Sequence, residues 1–213
     1  MKLVRGIWLP ESDEHLAAEI ARPINPLVDG KGTYQLNKYR AALKHVRRRG
    51  HALDVGANVG LWSRVMERDF VIVTAIEPLA THCACFRRNV ERALLIPTAV
   101  GNETGTVRNA TPAPHMASSH VADKGEEVVI VPLDSLGLGR VDFIKIDVEG
   151  FELEAVRGGE ELIRRRRPVM VVEQKEGNAE RYGFGQRDAV ELLEAWGMVE
   201  AGCIGGDHIM VFP

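Results

Sequence analysis

The stretch HALDVGANVGLWS, residues 51–63, decides the fold. A short run with the character of a buried strand ends at Asp54 and Val55, turns through Gly56, Ala57 and Asn58, and enters a helix after Gly60. Glycines at such a turn let a ligand approach the backbone, and the helix that follows offers free N–H donors. The spacing is DxGxNxG and not GxGxxG, and Asp54 sits where a pyrophosphate would be repelled. A carboxylate at that point suits a cationic partner, such as an amino group. The alternative is a tight strand-to-helix turn that binds nothing.

Outward from this turn, short apolar runs alternate with helical patterns, the mark of βαβ units around a mostly parallel sheet. Strands are expected near residues 51–55, 71–76, 94–100, 141–146, 169–173, 198–203 and 208–212, with helices at about 61–68, 81–93, 151–166 and 187–196. Gly205, Gly206 and Asp207 separate the last two strands. That is too little chain for a parallel crossover, so these strands must form an antiparallel hairpin. The fold class is therefore α/β, Rossmann-like, with a seven-stranded mostly parallel sheet that closes in a C-terminal hairpin. Between Gly101 and Asp134 lies an apparent insertion with a short strand at 128–131. Residues 1–50, broken by Pro10, Pro23 and Pro26, read as an N-terminal helical strap with helices near 11–21 and 36–48. Residues 51–213 form the main domain.

Two further signals lie at strand ends. Glu77, in VTAIEPLA, follows the second strand 21 residues after Gly56. A carboxylate there can accept hydrogen bonds from both hydroxyls of a ribose, or it can cap the helix beginning near Leu79. In VDFIKIDVEGFELEAVRGGEELI, Asp147 and Glu149 end a central strand, in the crevice where open α/β sheets bind ligands. Two acids so close repel one another, so one can carry a raised pKa and accept a proton, or the pair can hold a metal or polar substrate. Glu149 has a structural alternative, capping the helix near Phe151.

Composition excludes several classes. Of 213 residues, 45% are hydrophobic and 27% charged, and no run approaches the roughly 18 apolar residues of a membrane span. A net charge of −3 gives no general attraction to nucleic acid. The arginine runs 47–49 and 164–167 fall at expected helix ends, where cations complement the helix dipole. The N-terminus does not read as a signal peptide, and Cys83, Cys85 and Cys203 form no CxxC pair. The expected compartment is the cytoplasm, and no membrane partner is expected.

DVGANVG, AIEP, FIKIDVEGFE, the following GGEELI and the PVMVVEQ strand, taken in order, resemble the FkbM-type family of S-adenosylmethionine-dependent methyltransferases. The match spans roughly Leu53 to Gln174, and the terminal GGDHIMVFP resembles that family's closing hairpin. The resemblance implies that Asp54, Gly56, Asn58, Gly60 and Glu77 bind S-adenosylmethionine, with Ala57 and Pro78 beside them, and that Asp147 and Glu149 line the site of transfer. Tyr34, in the strap, is placed near the methionine end of the cofactor, or is an ordinary packing aromatic. Methyl transfer from a sulfonium is an in-line displacement, so alignment carries most of the burden and a hydroxyl acceptor must also lose its proton. Asp147 and Glu149 are the candidate bases, with His208 third, and Asp147 also touches the cofactor. Glu173 and Lys175, beyond the PVMVV strand, are expected to bind the acceptor. That acceptor is expected to be a hydroxyl on a sugar, natural product or other small polar molecule. A nucleic-acid methyltransferase, or a silent S-adenosylmethionine-binding module, is the alternative; the position after the central strand reads DVEG where amino-methylating enzymes of nucleic acids carry DPPY or NPPF. Two acids without a nearby histidine pair are not a firm metal signal, and no metal is expected. A homodimer formed through the strap is compatible with the sequence.

Overall fold

The structure, a computed structural model, describes residues 1–110, 120–122 and 125–213. Its centre is a seven-stranded sheet. In chain order the strands are β3 (His51–Val55), β4 (Ile72–Ile76), β5 (Leu94–Ile96), β10 (Phe143–Ile146), β11 (Val169–Glu173), β12 (Val199–Ile204) and β13 (Asp207–Val211), arranged β12-β13-β11-β10-β3-β4-β5. β3, β4, β5, β10 and β11 run parallel, and β13 pairs antiparallel with both β11 and β12. Every residue of β3, β10 and β11 is buried, as expected of parallel strands covered on both faces.

Side-chain alternation divides these strands between two faces. Leu53, Val55, Ile144, Ile146, Met170, Val172 and Met210 pack against α5 (Glu152–Arg157), α6 (Glu160–Arg166) and α7 (Asp188–Ala195). Ala52, Phe143, Val169, Val171 and Ile209 pack on the opposite face with Tyr39 of α2 (Leu36–Leu43) and Trp62 of α3 (Leu61–Asp69). The period of two therefore also assigns Asp54, Lys145, Glu173 and Asp207 to this second face.

Four expected elements are cut differently. The run 94–100 splits at Pro97, which has no N–H for a ladder: β5 stays in the main sheet, while β6 (Ala99–Val100) joins a second sheet with β7 (Gly105–Ala110), β8 (His120–Ala122) and β9 (Glu126–Val131), ordered β6-β9-β7-β8. The helix expected over 151–166 breaks at Gly158 and Gly159 into α5 and α6, since two glycines remove side-chain support from one turn. α2 stops at Leu43, where Lys44 and Arg48 would have placed like charges one turn apart. The arginines of α6 fill its last turn, where Arg164 and Arg165 pair with Glu160 and Glu161. The expected helix 81–93 is shorter, as α4 (Ala80–Asn89).

The first fifty residues fold onto the main domain. A hairpin of β1 (Lys2–Val4) and β2 (Ile7–Leu9), which the sequence reading did not anticipate, precedes α1 (Glu14–Ala21). Asn89 holds the hairpin: its Oδ1 accepts from Trp8 N at 2.8 Å, and its Nδ2 donates to the Trp8 and Val59 carbonyls at 2.9 and 2.8 Å. Buried Arg64 of α3 donates to the carbonyls of Val28 and Gly32 at 3.1 and 2.9 Å. Among the described residues no helix is long and apolar enough to cross a membrane. All three cysteines are free thiols.

Asn89→Ala strands two carbonyls and one N–H in a buried seam, so it should destabilise the protein by about 2–4 kcal/mol. Urea denaturation of the two proteins measures the loss, and limited proteolysis should show early cleavage within residues 1–20 of the variant.

Candidate functional site

One deep cleft opens at the carboxyl ends of β3, β4, β10 and β11, and the sequence-predicted turn forms its floor. Gly56 N and Ala57 N both donate to the Ile76 carbonyl, at 2.9 and 3.0 Å, so the turn is pinned to β4. Gly56 has φ +77°, and a Cβ there would fall 1.8 Å from the Asp147 carbonyl oxygen. Only a bare backbone allows β3 and β10 to approach so closely at the cleft. Ala57, Asn58 and Pro78 line the cleft as expected.

Gly60 does not. It has φ +88°, and a Cβ would meet Val90 Cγ2 at 2.4 Å, so this glycine lets α3 pack on α4 rather than admitting a ligand. Asp54 is likewise absent from the cleft wall. It is fully buried, accepts from Ser63 Oγ at 2.6 Å, and lies 3.6 Å from the Lys145 ammonium. Its expected contact with a cationic ligand is thus corrected: strand alternation points Asp54 beneath the turn, where it holds a lysine of the protein.

That lysine was missed, although a lysine inside the apolar run DFIKID signals a buried charge in need of partners. Lys145 lies opposite Asp54 in the β10–β3 register. Its ammonium is 3.3 Å from Asp147 Oδ2 and donates to the Gly56 carbonyl at 3.3 Å. Burial alone would lower its pKa, but Asp147 and Asp54 overcome this and hold it above the usual lysine range. Burial raises the Asp54 carboxyl. It would raise Asp147 as well, yet Lys145 and Lys175 keep that group low.

Glu77 ends β4 and is almost fully buried. Its Oε2 accepts from Asn58 N at 2.9 Å, and its Oε1 accepts from Leu79 N at 3.0 Å and lies 3.1 Å from His82 Nδ1. Glu77 therefore ties the turn to the start of α4 and still lines the cleft. Of about four lone-pair positions on a carboxylate, one on Oε2 is left for a hydroxyl donor. His82 was also missed, since nothing in ATHCACF marks it. It is buried, lines the cleft, and its Nε2 has no hydrogen-bond partner among the described residues. Burial alone would lower its pKa, but the Glu77 carboxylate raises it above the ordinary value. Asn109 of the second sheet adds another cleft-lining atom, Oδ1, without a partner among the described residues.

The other end of the cleft is acidic. Asp147, Glu149, Glu173 and Lys175 share it with Tyr34, whose hydroxyl burial pushes to about 12. Glu149 has φ +55° and accepts from Asn178 Nδ2 at 3.1 Å, while Glu152 Oε1 takes the Val148 and Gly150 N–H groups at 2.9 and 3.0 Å. Glu152, not Glu149, thus caps this turn and frees Glu149 for the cleft. Burial, reinforced by Asp147, raises Glu149 to about 7, and burial raises Glu173 well above its ordinary value. His208 faces away. It is on the α7 side of the sheet, with Nδ1 2.9 Å from Glu200 Oε2, which removes it from the candidate bases.

Residues 54–199 match the family model of the methyltransferase FkbM domain. No match was found among curated proteins. The methyltransferase FkbM of Methylobacillus flagellatus KT aligns at 19% identity over 77% of this chain, with a TM-score of 0.50, and the chain spans 43% of that protein's length. A putative O-methyltransferase from Klebsiella pneumoniae aligns at 14% identity and TM-score 0.51 over 97% of this chain and 92% of its own. A putative methyltransferase from Streptococcus mutans, solved in complex with SAH, aligns at 9% identity and TM-score 0.50 over 82% of this chain and 94% of its own. At these identities the likeness is one of fold.

The Glu77–His82 pair predicts a pH dependence. A raised pKa means that the folded protein holds the proton more tightly than the unfolded chain, so the stabilisation is complete below about pH 6.5 and declines as pH rises through the folded value. Denaturant midpoints taken from about pH 6 to about pH 9 should show wild-type stability falling towards that of His82→Gln. A gap independent of pH would refute the pairing.

Proposed function

The chain belongs to the methyltransferase FkbM family, which uses S-adenosylmethionine, and we propose from that premise that it O-methylates a hydroxyl on a small polar molecule such as a sugar or natural product. The observation that carries this reading is the acidic wall formed by Asp147, Glu149 and Glu173 at one end of the cleft. It offers hydrogen-bond acceptors to a polyhydroxylated acceptor.

The cofactor fits the rest of the cleft. Glu77 Oε2 and His82 Nε2 are the groups that would meet the ribose hydroxyls, and Asn109 Oδ1 is an acceptor for an exocyclic amine. Gly56, which lets β3 and β10 close together, forms part of the cleft lining, and Asp147 offers negative charge to an ammonium group. When bound, S-adenosylmethionine supplies an electrophilic methyl group on a sulfonium. The protein's own task is then alignment and proton removal. Tyr34 and Lys175 narrow the cleft beside the wall, so an acceptor hydroxyl is oriented between cation and carboxylate. The acids of the wall are placed to take its proton, with Glu149 the most accessible of them. The partners in this reading are a small-molecule acceptor and no nucleic acid, and the cytoplasm is the setting.

Isothermal titration should show micromolar binding of S-adenosylhomocysteine, weakened by Glu77→Ala, and no binding of NAD. Binding of NAD instead would overturn the cofactor assignment. In a methyl-incorporation screen over sugars and other hydroxylated small molecules, Glu149→Gln should lower kcat by about 10²–10⁴ while S-adenosylhomocysteine affinity stays within about twofold. Incorporation confined to nucleic acid or protein would refute the acceptor class.

A further inference from the structure

The acidic wall contains more negative charge than its protein partners neutralise. Asp54, Asp147, Glu173 and Asp207 project from one face of the sheet, and Glu149 stands beside them. Among the described residues, three ammonium groups pair directly with these carboxylates. Lys145 lies between Asp54 and Asp147, Lys38 of α2 pairs with Asp207, and Lys175 pairs with Glu173.

Three of the acids converge. One carboxylate oxygen from each of Asp147, Glu149 and Glu173 lies within 4.8 Å of the others. Glu173 supplies a second, separate observation. It is 1% exposed and lines the cleft; its Oε1 pairs with the Lys175 ammonium, while its buried Oε2 has no hydrogen-bond partner among the described residues. A buried carboxylate oxygen without a donor is costly unless something else binds it. Sequence reading had weighed Asp147 and Glu149 alone; the third acid arrives from the neighbouring strand.

We propose that Asp147, Glu149 and Glu173 bind one hard divalent cation of the Mg²⁺ or Mn²⁺ class. An all-oxygen, all-carboxylate donor set suits such ions and not softer metals. Three protein ligands satisfy half of an octahedron, and the cleft side leaves the remaining positions to water and to the oxygens of an acceptor. Lys175, whose side chain is 42% exposed, occupies the cation's neighbourhood and is free to swing outward when the ion binds. In that arrangement the acids act on the acceptor hydroxyl through the cation, which fixes its position. That role rests on the methyltransferase reading; the binding of the cation does not.

The test is a titration of the full chain with Mn²⁺, followed by the electron paramagnetic resonance signal of the free ion, with Mg²⁺ as competitor. The expected result is one Mn²⁺ per chain, bound below about 1 mM and displaced by Mg²⁺. Glu173→Gln should weaken binding about tenfold or more, with its S-adenosylhomocysteine affinity as the check on folding, and Lys175→Met should tighten binding. The lysine variant decides the matter if Glu173→Gln does not fold. No saturable binding, or binding indifferent to both changes, overturns the proposal; binding that survives Glu173→Gln would instead belong to Glu200, Cys203 and His208 on the other face. Mn²⁺ binding without S-adenosylhomocysteine binding would uphold the cation site and overturn the cofactor reading, and the reverse result would do the opposite.

Discussion

The buried ammonium of Lys145 is the constraint on which the cleft depends. A lysine charge inside a sheet is tolerated only with close opposite charge and hydrogen-bond acceptors, because lost hydration costs several kcal/mol. Asp54 from β3, Asp147 from the end of β10 and the Gly56 carbonyl supply these from three directions. The same contacts fix the Gly56 turn against the end of β10, where a glycine alone fits. Removing either acid would leave the buried ammonium with a single carboxylate partner under the cleft floor. Asp54 therefore acts on function from below, through the position of Lys145, and not by touching a ligand.

Alternation along the strands extends this arrangement across the sheet. One face of β3, β10, β11 and β13 becomes polar at the cleft end, while the other face remains apolar against α5, α6 and α7. The strap covers the polar face. Lys38 reaches Asp207, Gln35 Oε1 accepts from Trp62 Nε1 at 3.2 Å, and Arg64 ties residues 28–32 to α3. Tyr34 stands next to Gln35 in this cover, which brings an aromatic hydroxyl from the first fifty residues into the cleft. The cover and the charged row are thus built together, and a segment outside the matched family region contributes to the cleft lining.

Much of this was legible in sequence, and the reasons are specific. The parallel strands declared themselves because burial on both faces makes each a short continuous apolar run, and the hairpin followed from the three residues between β12 and β13. Glu77, Asp147 and Glu149 were visible because they lie at strand ends, a property of local position. Asp54 and His208 were misplaced for one shared reason: near a strand end, a residue's nominal position says little until the face is known, and one residue of register decides it. Lys145 carried a readable signal in the apolar context of its strand. His82 and Asn109 carried none, because their importance arises from the fold bringing α4 and the second sheet to the same cleft.

The two ends of the cleft solve different electrostatic problems. At the Glu77 end the carboxylate is bound by two backbone N–H groups and His82, so it is fixed in place and retains limited capacity for a ligand. At the Asp147 end the acids outnumber their partners, and burial raises Glu149 and Glu173. A fixed carboxylate suits recognition of an invariant group, since its geometry does not adapt. A surplus of charge suits a site where cations, protons and a polar acceptor exchange during turnover, because no single occupant is built into the protein. In the proposed reading, recognition falls to the first end and chemistry to the second, because the carboxylates at the two ends differ in how completely the protein itself satisfies them.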